Sequence, residues 1–340
     1  MKDFAKHLHS YIHNYLIGEC GYGTNTIRSY KKGFRLLVIF MKEERRITPD
    51  KIELKHLNRN VVLDFLKWLE IKHKSSVSTR NQRYAIICSF CNYLQYEEPD
   101  RIVEWQNIRS IRLKAAPVKV ISYLTKDGVK LLLDQIPNNT KSFRRDLAML
   151  ALLYDSAARV QELCDLTPSS IRFDDPYFIR VLGKGNKERD IPLMKEQIDL
   201  LKLYVKENNL DTSEKYNYPL FTNRFGGKLT PAGITYILKK YAKKARSINN
   251  ILIPQIISPH IFRHSKAMHL VQDGVNLIYI RDLLGHASVI TTERYARADS
   301  KQKREALETV YEDVIPHKGI AGSWEKDIKL RDFLNDLGCN

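Results

Sequence analysis

No stretch of this chain approaches the run of ~18 apolar residues that a membrane-spanning helix needs. The opening segment MKDFAKHLHSYIHNYL also lacks the apolar centre of a secretory signal. A soluble, cytoplasmic and nucleoid-associated protein with no membrane partner is the expectation. The five cysteines, Cys20, Cys88, Cys91, Cys164 and Cys339, are odd in number and follow no framework spacing, which argues against structural disulfides. Cys88 and Cys91 form a CxxC, but inside the helical pattern RYAIICSFCNYL and with no second pair to complete a zinc site, so they read as buried thiols. A GxxxxGK[ST] nucleotide loop is missing, and GKGNK does not have its spacing. His260 and His264 stand four residues apart like zinc ligands, yet Ile261 occupies the place of the HExxH glutamate. Nor is there a carboxylate cluster suited to two metal ions. The expectation is an activity that uses no cofactor and no metal. Internal repeats and low-complexity tracts are absent as well.

The charge in short supply is negative. Against 56 Lys and Arg there are 39 Asp and Glu, a formal net charge of +17, and the excess is shared by the halves on either side of Ala115. Such a field draws a polyanion, either nucleic acid or an anionic membrane surface. At 340 residues the chain has room for two domains with cores of their own.

The chain is mainly α-helical, with one small antiparallel β-sheet. Residues 1–112 read as helices alone. TNTIRSYKKGFRLLVIFMKEE carries Ile27, Phe34, Leu37, Val38 and Met41 at helical spacing, with Thr24 or Asn25 as cap and Arg28, Lys31, Lys32 and Arg35 among its basic positions. NRNVVLDFLKWLEIKH repeats the design through Val62, Phe65, Leu66 and Leu69. A third helix, STRNQRYAIICSFCNYLQYEE, starts at a Ser/Thr cap and stops before Pro99. Residues 113–122, broken by Pro117, read as a linker.

The second domain, residues 123–313, opens with Thr125 capping KDGVKLLLDQI. RDLAMLALLYDSA is apolar on nearly every side and should be a central helix. Three β-prone runs, 171–173, 178–182 and 188–193, are separated by DDP and GKGNK turns. Helices then resume, one capped at Thr230–Pro231, one from Ser258–Pro259 to Gly274, one closing on Gly285, and one starting on the Thr291–Thr292 pair. In the tail, residues 314–340, Leu330, Phe333, Leu334 and Leu337 share a helical face that could pack on this chain or on a neighbouring copy.

Within this frame sit ARVQEL with Arg159, LGKGNKERDIPL with Lys184, HIFRH with His260 and Arg263, LLGHAS with His286, and TTERY with Tyr295. Guanidiniums are planar permanent cations that can bond two phosphate oxygens at once, and so can stabilise the charge that builds there during attack. A phenol has a pKa near 10, which neighbouring cations lower, and it can serve as a covalent nucleophile. In order, spacing and setting these segments resemble the motifs of the tyrosine recombinase, or phage integrase, family, of the Xer and transposon-integrase kind. The likeness runs from about Leu124 to Ala298, and the helical N-terminal part is similar to that family's SAM-like core-binding domain.

The resemblance implies a mixed α/β catalytic domain that cuts double-stranded DNA, keeps the 3′ phosphate on Tyr295, and rejoins it to a second site without ATP. It implies Arg159 and Arg263 as the phosphate clamp, Lys184 as general acid, His260 as proton partner of Tyr295, and His286 as a hydrogen bond to the phosphate. From the residues alone Lys187 rivals Lys184. Glu162 and His264 are expected to orient and pack the site. By the same resemblance four protomers would act on two synapsed sites, with the two domains closing on the duplex, and an accessory DNA-bending protein or partner recombinase stays open. A type IB topoisomerase and a non-catalytic DNA-binding regulator are the alternative functions. One departure concerns the corner before Arg159, where the family usually has glycine and this chain has Ala157 and Ala158. A positive φ there would strain alanine.

Overall fold

The computed structural model describes residues 3–117, 121–140, 142–183, 185 and 187–298. Two compact units divide it, Met1–Lys119 and Val120–Asn340. Lys184 and the C-terminal stretch with Leu330, Phe333, Leu334 and Leu337 lie outside the described residues.

The first unit is built from helices. α1 (Asp3–Ser10) continues into a π-helical stretch, Tyr11–Glu19, and is followed by α2 (Thr24–Arg45), α3 (Arg59–Ile71), α4 (Val77–Glu97) and α5 (Ile102–Arg109). The apolar stripes face inward as their spacing requires: Ile27, Phe34, Leu37 and Met41 of α2 are buried, as are Val62, Phe65, Leu66 and Leu69 of α3. Tyr11 fills the centre, its ring 5.0 Å from Phe90 and 6.1 Å from Phe34, and its hydroxyl lies 2.7 Å from Ser89 Oγ. α4 starts slightly earlier than expected: Ser76 is its cap, accepting from the Thr79 amide, and Ser78 and Thr79 lie inside the helix. The cap of α2 is Gly23 rather than Thr24 or Asn25, both of which lie inside the helix. Cys91 is fully buried and Cys88 partly so, and burial pushes both thiols up, as expected of packed cysteines.

The second unit has eight described helices around a three-stranded sheet. α6 (Lys126–Leu133) is capped by Thr125, whose hydroxyl accepts from the Gly128 amide at 3.1 Å. α7 (Phe143–Asp155) buries Ala148, Met149, Leu150, Leu152 and Leu153, the central position its all-round apolarity predicts. After the short α8 (Val160–Asp165) come β1 (Ile171–Arg172), β2 (Phe178–Leu182) and β3 (Glu188–Pro192), paired antiparallel in the order β1-β2-β3. Ile179 faces Ile191 across the ladder and Val181 faces Arg189. Strand alternation turns Ile179, Val181 and Ile191 into the core.

α9 (Lys195–Glu207) and α10 (Pro231–Ile248) complete the main body, α10 starting at the expected Thr230 cap with Pro231 first. α11 (Pro259–Gln272), α12 (Leu277–Leu284) and α13 (Ile290–Ala298) follow. α11 joins two apolar clusters. Ile261 and Phe262 enter the large core, whereas Ala267, Met268 and Val271 pack with Ala157, Ile280, Leu284 and Tyr295 in a smaller one. α12 closes on Gly285 in the left-handed conformation, φ 62°. The start of α13 differs from expectation: the helix begins at Ile290, with the Ser288 hydroxyl accepting from its amide, and Thr292 lies inside it.

Candidate active site

The corner between α7 and α8 sets the site's geometry. Ala157 is fully buried and has φ 47°, the left-handed conformation that its place in the motif made a concern. For a residue with a Cβ this costs about 1 kcal/mol. The next turn places Arg159 immediately before α8, where its backbone amide donates to Glu162 Oε2 at 2.8 Å.

Glu162 is the anionic hub. It is 5% exposed and accepts from Arg159 Nη1 at 2.8 Å, from Arg189 Nη1 at 3.0 Å and from Arg189 Nη2 at 2.7 Å. Burial acts to raise its pKa, but the bonds from Arg189 and Arg159 outweigh it and hold the carboxyl below the usual range. Local sequence gives no sign of Arg189. In ERD it reads as one of three alternating charges on a solvated strand, yet its Nε also reaches the Leu283 carbonyl at 3.1 Å. Only its register opposite the inward Val181 marks it.

The end of α12 anchors both arginines of the motif. Arg159 Nη2 donates to the Gly285 carbonyl at 3.0 Å, and Arg263 Nη2 donates to the Leu284 carbonyl. Arg263 Nη1 donates to the Ala157 carbonyl at 2.7 Å. The carbonyl end of a helix carries partial negative charge, so it suits two cations. Arg263 is 4% exposed; burial first and Arg159 second push it down to about 10, still a cation at neutral pH. Arg159 keeps a third of its side chain exposed and can meet a ligand.

The histidines and the tyrosine complete the group. His260, exposed on the first turn of α11, has its pKa lowered by burial of part of the ring and then by Arg263 and Arg159. His286, just past Gly285, places Nδ1 2.9 Å from the hydroxyl of the fully buried Thr292. Burial, followed by Arg263 and Arg159, pushes His286 down to about 4. Tyr295 is 1% exposed and its hydroxyl lies 2.8 Å from His264 Nδ1. Burial raises the phenol pKa, while Arg294 and Arg263 pull it down.

Arg159, His260, Arg263, His286 and Tyr295, drawn from four separate elements, thus gather at one place. Lys184 lies outside the described residues; the hairpin flanking it is closed by the Gly183 amide donating to the Lys187 carbonyl at 2.8 Å. Glu162 and His264 orient neighbours, as expected of them. Arg294 joins the site without having been marked by any pattern, and Thr292, expected as part of a helix cap, joins it through the His286 ring. Two fixed guanidiniums beside neutral imidazoles and a phenol can clamp a tetrahedral oxyanion and present a nucleophile to it.

Residues 122–302 match the profile of the phage integrase family, and residues 10–98 match the phage integrase N-terminal SAM-like domain. Tyrosine recombinase XerD of Listeria innocua is 33% identical over 307 residues, covering 89% of this chain and 96% of that relative. Among solved structures, the XerH site-specific recombinase in its post-cleavage complex with a palindromic difH substrate aligns with a TM-score of 0.66 at 22% identity, over 85% of this chain and 80% of that one. The Tn1549 transposon integrase in complex with transposon right end DNA reaches 0.69 at 17% identity, over 91% and 99%. At those identities the structural likeness is one of fold. The chain belongs to the phage integrase family and is a tyrosine site-specific recombinase.

Proposed function

We propose that this recombinase cleaves and rejoins double-stranded DNA through Tyr295, with Arg159 and Arg263 holding the scissile phosphate. The observation that carries this reading is the anchoring of both guanidiniums on the adjacent carbonyls of Leu284 and Gly285, beside the buried Tyr295. In the reaction the phenol oxygen forms a bond to phosphorus and the bond from phosphorus to the 5′ oxygen breaks. The phenol proton leaves to His260, and Lys184 protonates the departing 5′ oxygen. Arg159 and Arg263 offset the charge developing on the non-bridging oxygens, more strongly in the transition state than in the ground state. His286 is neutral at physiological pH, and with Nδ1 paired to the Thr292 hydroxyl it is Nε2 that is left to meet the phosphate. The ester on Tyr295 conserves the energy of the broken bond, and attack by a second 5′ hydroxyl reverses the step.

The N-terminal unit serves as the core-binding domain in this reading. Arg28, Lys31, Lys32 and Arg35 are all exposed on α2, as a phosphate-contacting surface requires. A tetramer on two synapsed sites, with the C-terminal tail bridging protomers, belongs to the same proposal.

The test uses nicked DNA that traps the covalent intermediate. Wild-type protein should form an adduct, and Tyr295→Phe should bind the DNA equally well and form none. An adduct of normal yield from Tyr295→Phe refutes the assignment. Binding should also weaken steeply with salt, because each neutralised phosphate releases counterions.

A further inference from the structure

The hydroxyl of Tyr295 is already engaged inside its pocket. It lies 2.8 Å from His264 Nδ1, and the two ring centroids are 5.7 Å apart. On the far side of the same imidazole, Arg294 Nη2 stands 3.4 Å from Nε2. The Arg294 guanidinium also covers the tyrosine ring, 5.3 Å from its centroid. These three residues form a chain, Arg294 to His264 to Tyr295, that links α13 to α11 and back.

The direction of the hydrogen bonds follows from what each group can do. An arginine only donates, so Nε2 must present its lone pair to Arg294. Burial, then Arg294, His260 and Arg263, push the His264 imidazole down to about 4, leaving it neutral at physiological pH. A neutral imidazole that accepts at Nε2 carries its single proton on Nδ1. Nδ1–H therefore donates to the tyrosine oxygen.

A donor aimed at the phenol oxygen holds phenolate more strongly than phenol. That opposes the burial which raises the Tyr295 pKa. We propose that His264 is a positioning residue that fixes Tyr295 for attack and supports its developing phenolate from Nδ1, and that Arg294 sets the tautomer making this donor. The inference rests on Tyr295 being the nucleophile. His264 takes up no proton in it: the phenol proton leaves to His260 as the oxygen bonds to phosphorus, and His264 keeps its own.

The test measures single-turnover adduct formation on nicked DNA with full-length protein across about pH 6 to 9, the span in which a supported phenol begins to ionise. His264→Leu should bind DNA normally yet lose about 10- to 100-fold in adduct rate, the range found when a donor to a developing oxyanion is removed. Its rate should also rise only at higher pH than that of wild type. His264→Asn, whose amide nitrogen can occupy the place of Nδ1, should recover much of the rate and the original pH profile. Arg294→Gln, at an exposed position where folding is not in question, should show a smaller loss with the same displacement of the profile.

His264→Leu with wild-type rate and profile overturns the proposal, as does His264→Asn no better than His264→Leu. If His264→Leu does not fold, an unchanged rate and profile in Arg294→Gln overturns it instead. A wild-type adduct that survives Tyr295→Phe removes the nucleophile assignment and this inference together. A Tyr295-dependent adduct indifferent to His264 removes the inference alone.

Discussion

The carbonyl of Ala157 and the guanidinium of Arg263 are joined by a 2.7 Å hydrogen bond, and the residue giving that carbonyl is held in the left-handed conformation. The strain at the corner is thus tied to the orientation of a buried cation. With φ near −60° at residue 157 the same carbonyl would point elsewhere, and the Nη1 of Arg263, a residue only 4% exposed, would lose its partner. An unpaired buried donor on a charged group costs more than the strain it would relieve.

Substitutions at this corner should separate strain from packing. Ala157→Gly removes about 1 kcal/mol of backbone strain and gives up a buried methyl worth about 0.8 kcal/mol. Its stability should therefore stay within about 1 kcal/mol of wild type. Ala157→Val adds a branched Cβ at positive φ and extra volume in the cluster around Tyr295, and should lose about 2–4 kcal/mol. Urea denaturation of both variants checks the pair.

Glu162→Gln tests the hub. One neutral amide cannot satisfy the bidentate Arg189 and the Arg159 side chain and amide together. A loss of about 3 kcal/mol is expected, because two partly buried cations are left with no counter-charge. The carboxyl has a folded pKa below its unfolded one, so its stabilisation is fully present above the ordinary glutamate value near pH 4.3. It disappears as pH falls through the lower folded value. The stability gap between wild type and Glu162→Gln should accordingly close on acidification, which melting curves at several pH values can follow.

Gly285→Ala should damage the site more than the fold. Its φ of 62° disfavours alanine, and the added Cβ would meet Arg189 Nη1 at 2.9 Å and Cζ at 3.0 Å. Arg189 cannot swing aside freely, being pinned by Glu162 and the Leu283 carbonyl. The Gly285 carbonyl that orients Arg159 would shift with it. Adduct formation on nicked DNA should fall about 10- to 100-fold, in line with a misplacement of the proposed phosphate clamp by a fraction of an ångström to an ångström.

The histidines give a pH signature of opposite chemistry and the same sign. His264 and His286, both pushed down to about 4, stay neutral in the folded protein while the unfolded chain takes up protons near pH 6.5. Their contribution is complete above pH 6.5 and is lost as pH falls toward 4. Histidine ring resonances in NMR should show both unprotonated at pH 6. Thr292→Val should leave His286 Nδ1 without its hydroxyl partner and cost about 1–3 kcal/mol.

Where the sequence was readable, the governing interactions were local. Thr125 and Thr230 cap their helices because the bonded amide is only three residues away. The sheet follows from alternation and turns, and the order of motifs places Arg159, Arg263, His286 and Tyr295 on or beside elements that pack together. Distant partners hid the rest. Thr292 resembles a cap, but its hydroxyl meets the buried His286 ring instead, and Ser288 takes over at the start of α13. Arg189 looks solvated until Glu162, 27 residues away in sequence, is placed against it. His264 gave a zinc-like spacing with His260, and only the packing of α13 on α11 turns its Nδ1 toward Tyr295.

The carbonyl end of α12 acts as a common ruler for two cations. Arg159 and Arg263 hang on successive carbonyls there, while Glu162 and the Ala157 carbonyl hold their other ends, so the helix end and the corner before α8 set the spacing of the two guanidiniums jointly. Tyr295, on α13, bonds to His264 of α11 and packs against Ile280 and Leu284 of α12. A shift of α12 relative to α11 would therefore be felt at both guanidiniums and at the Tyr295 ring together, because Arg263 is carried by α11 while its Nη2 is held by α12.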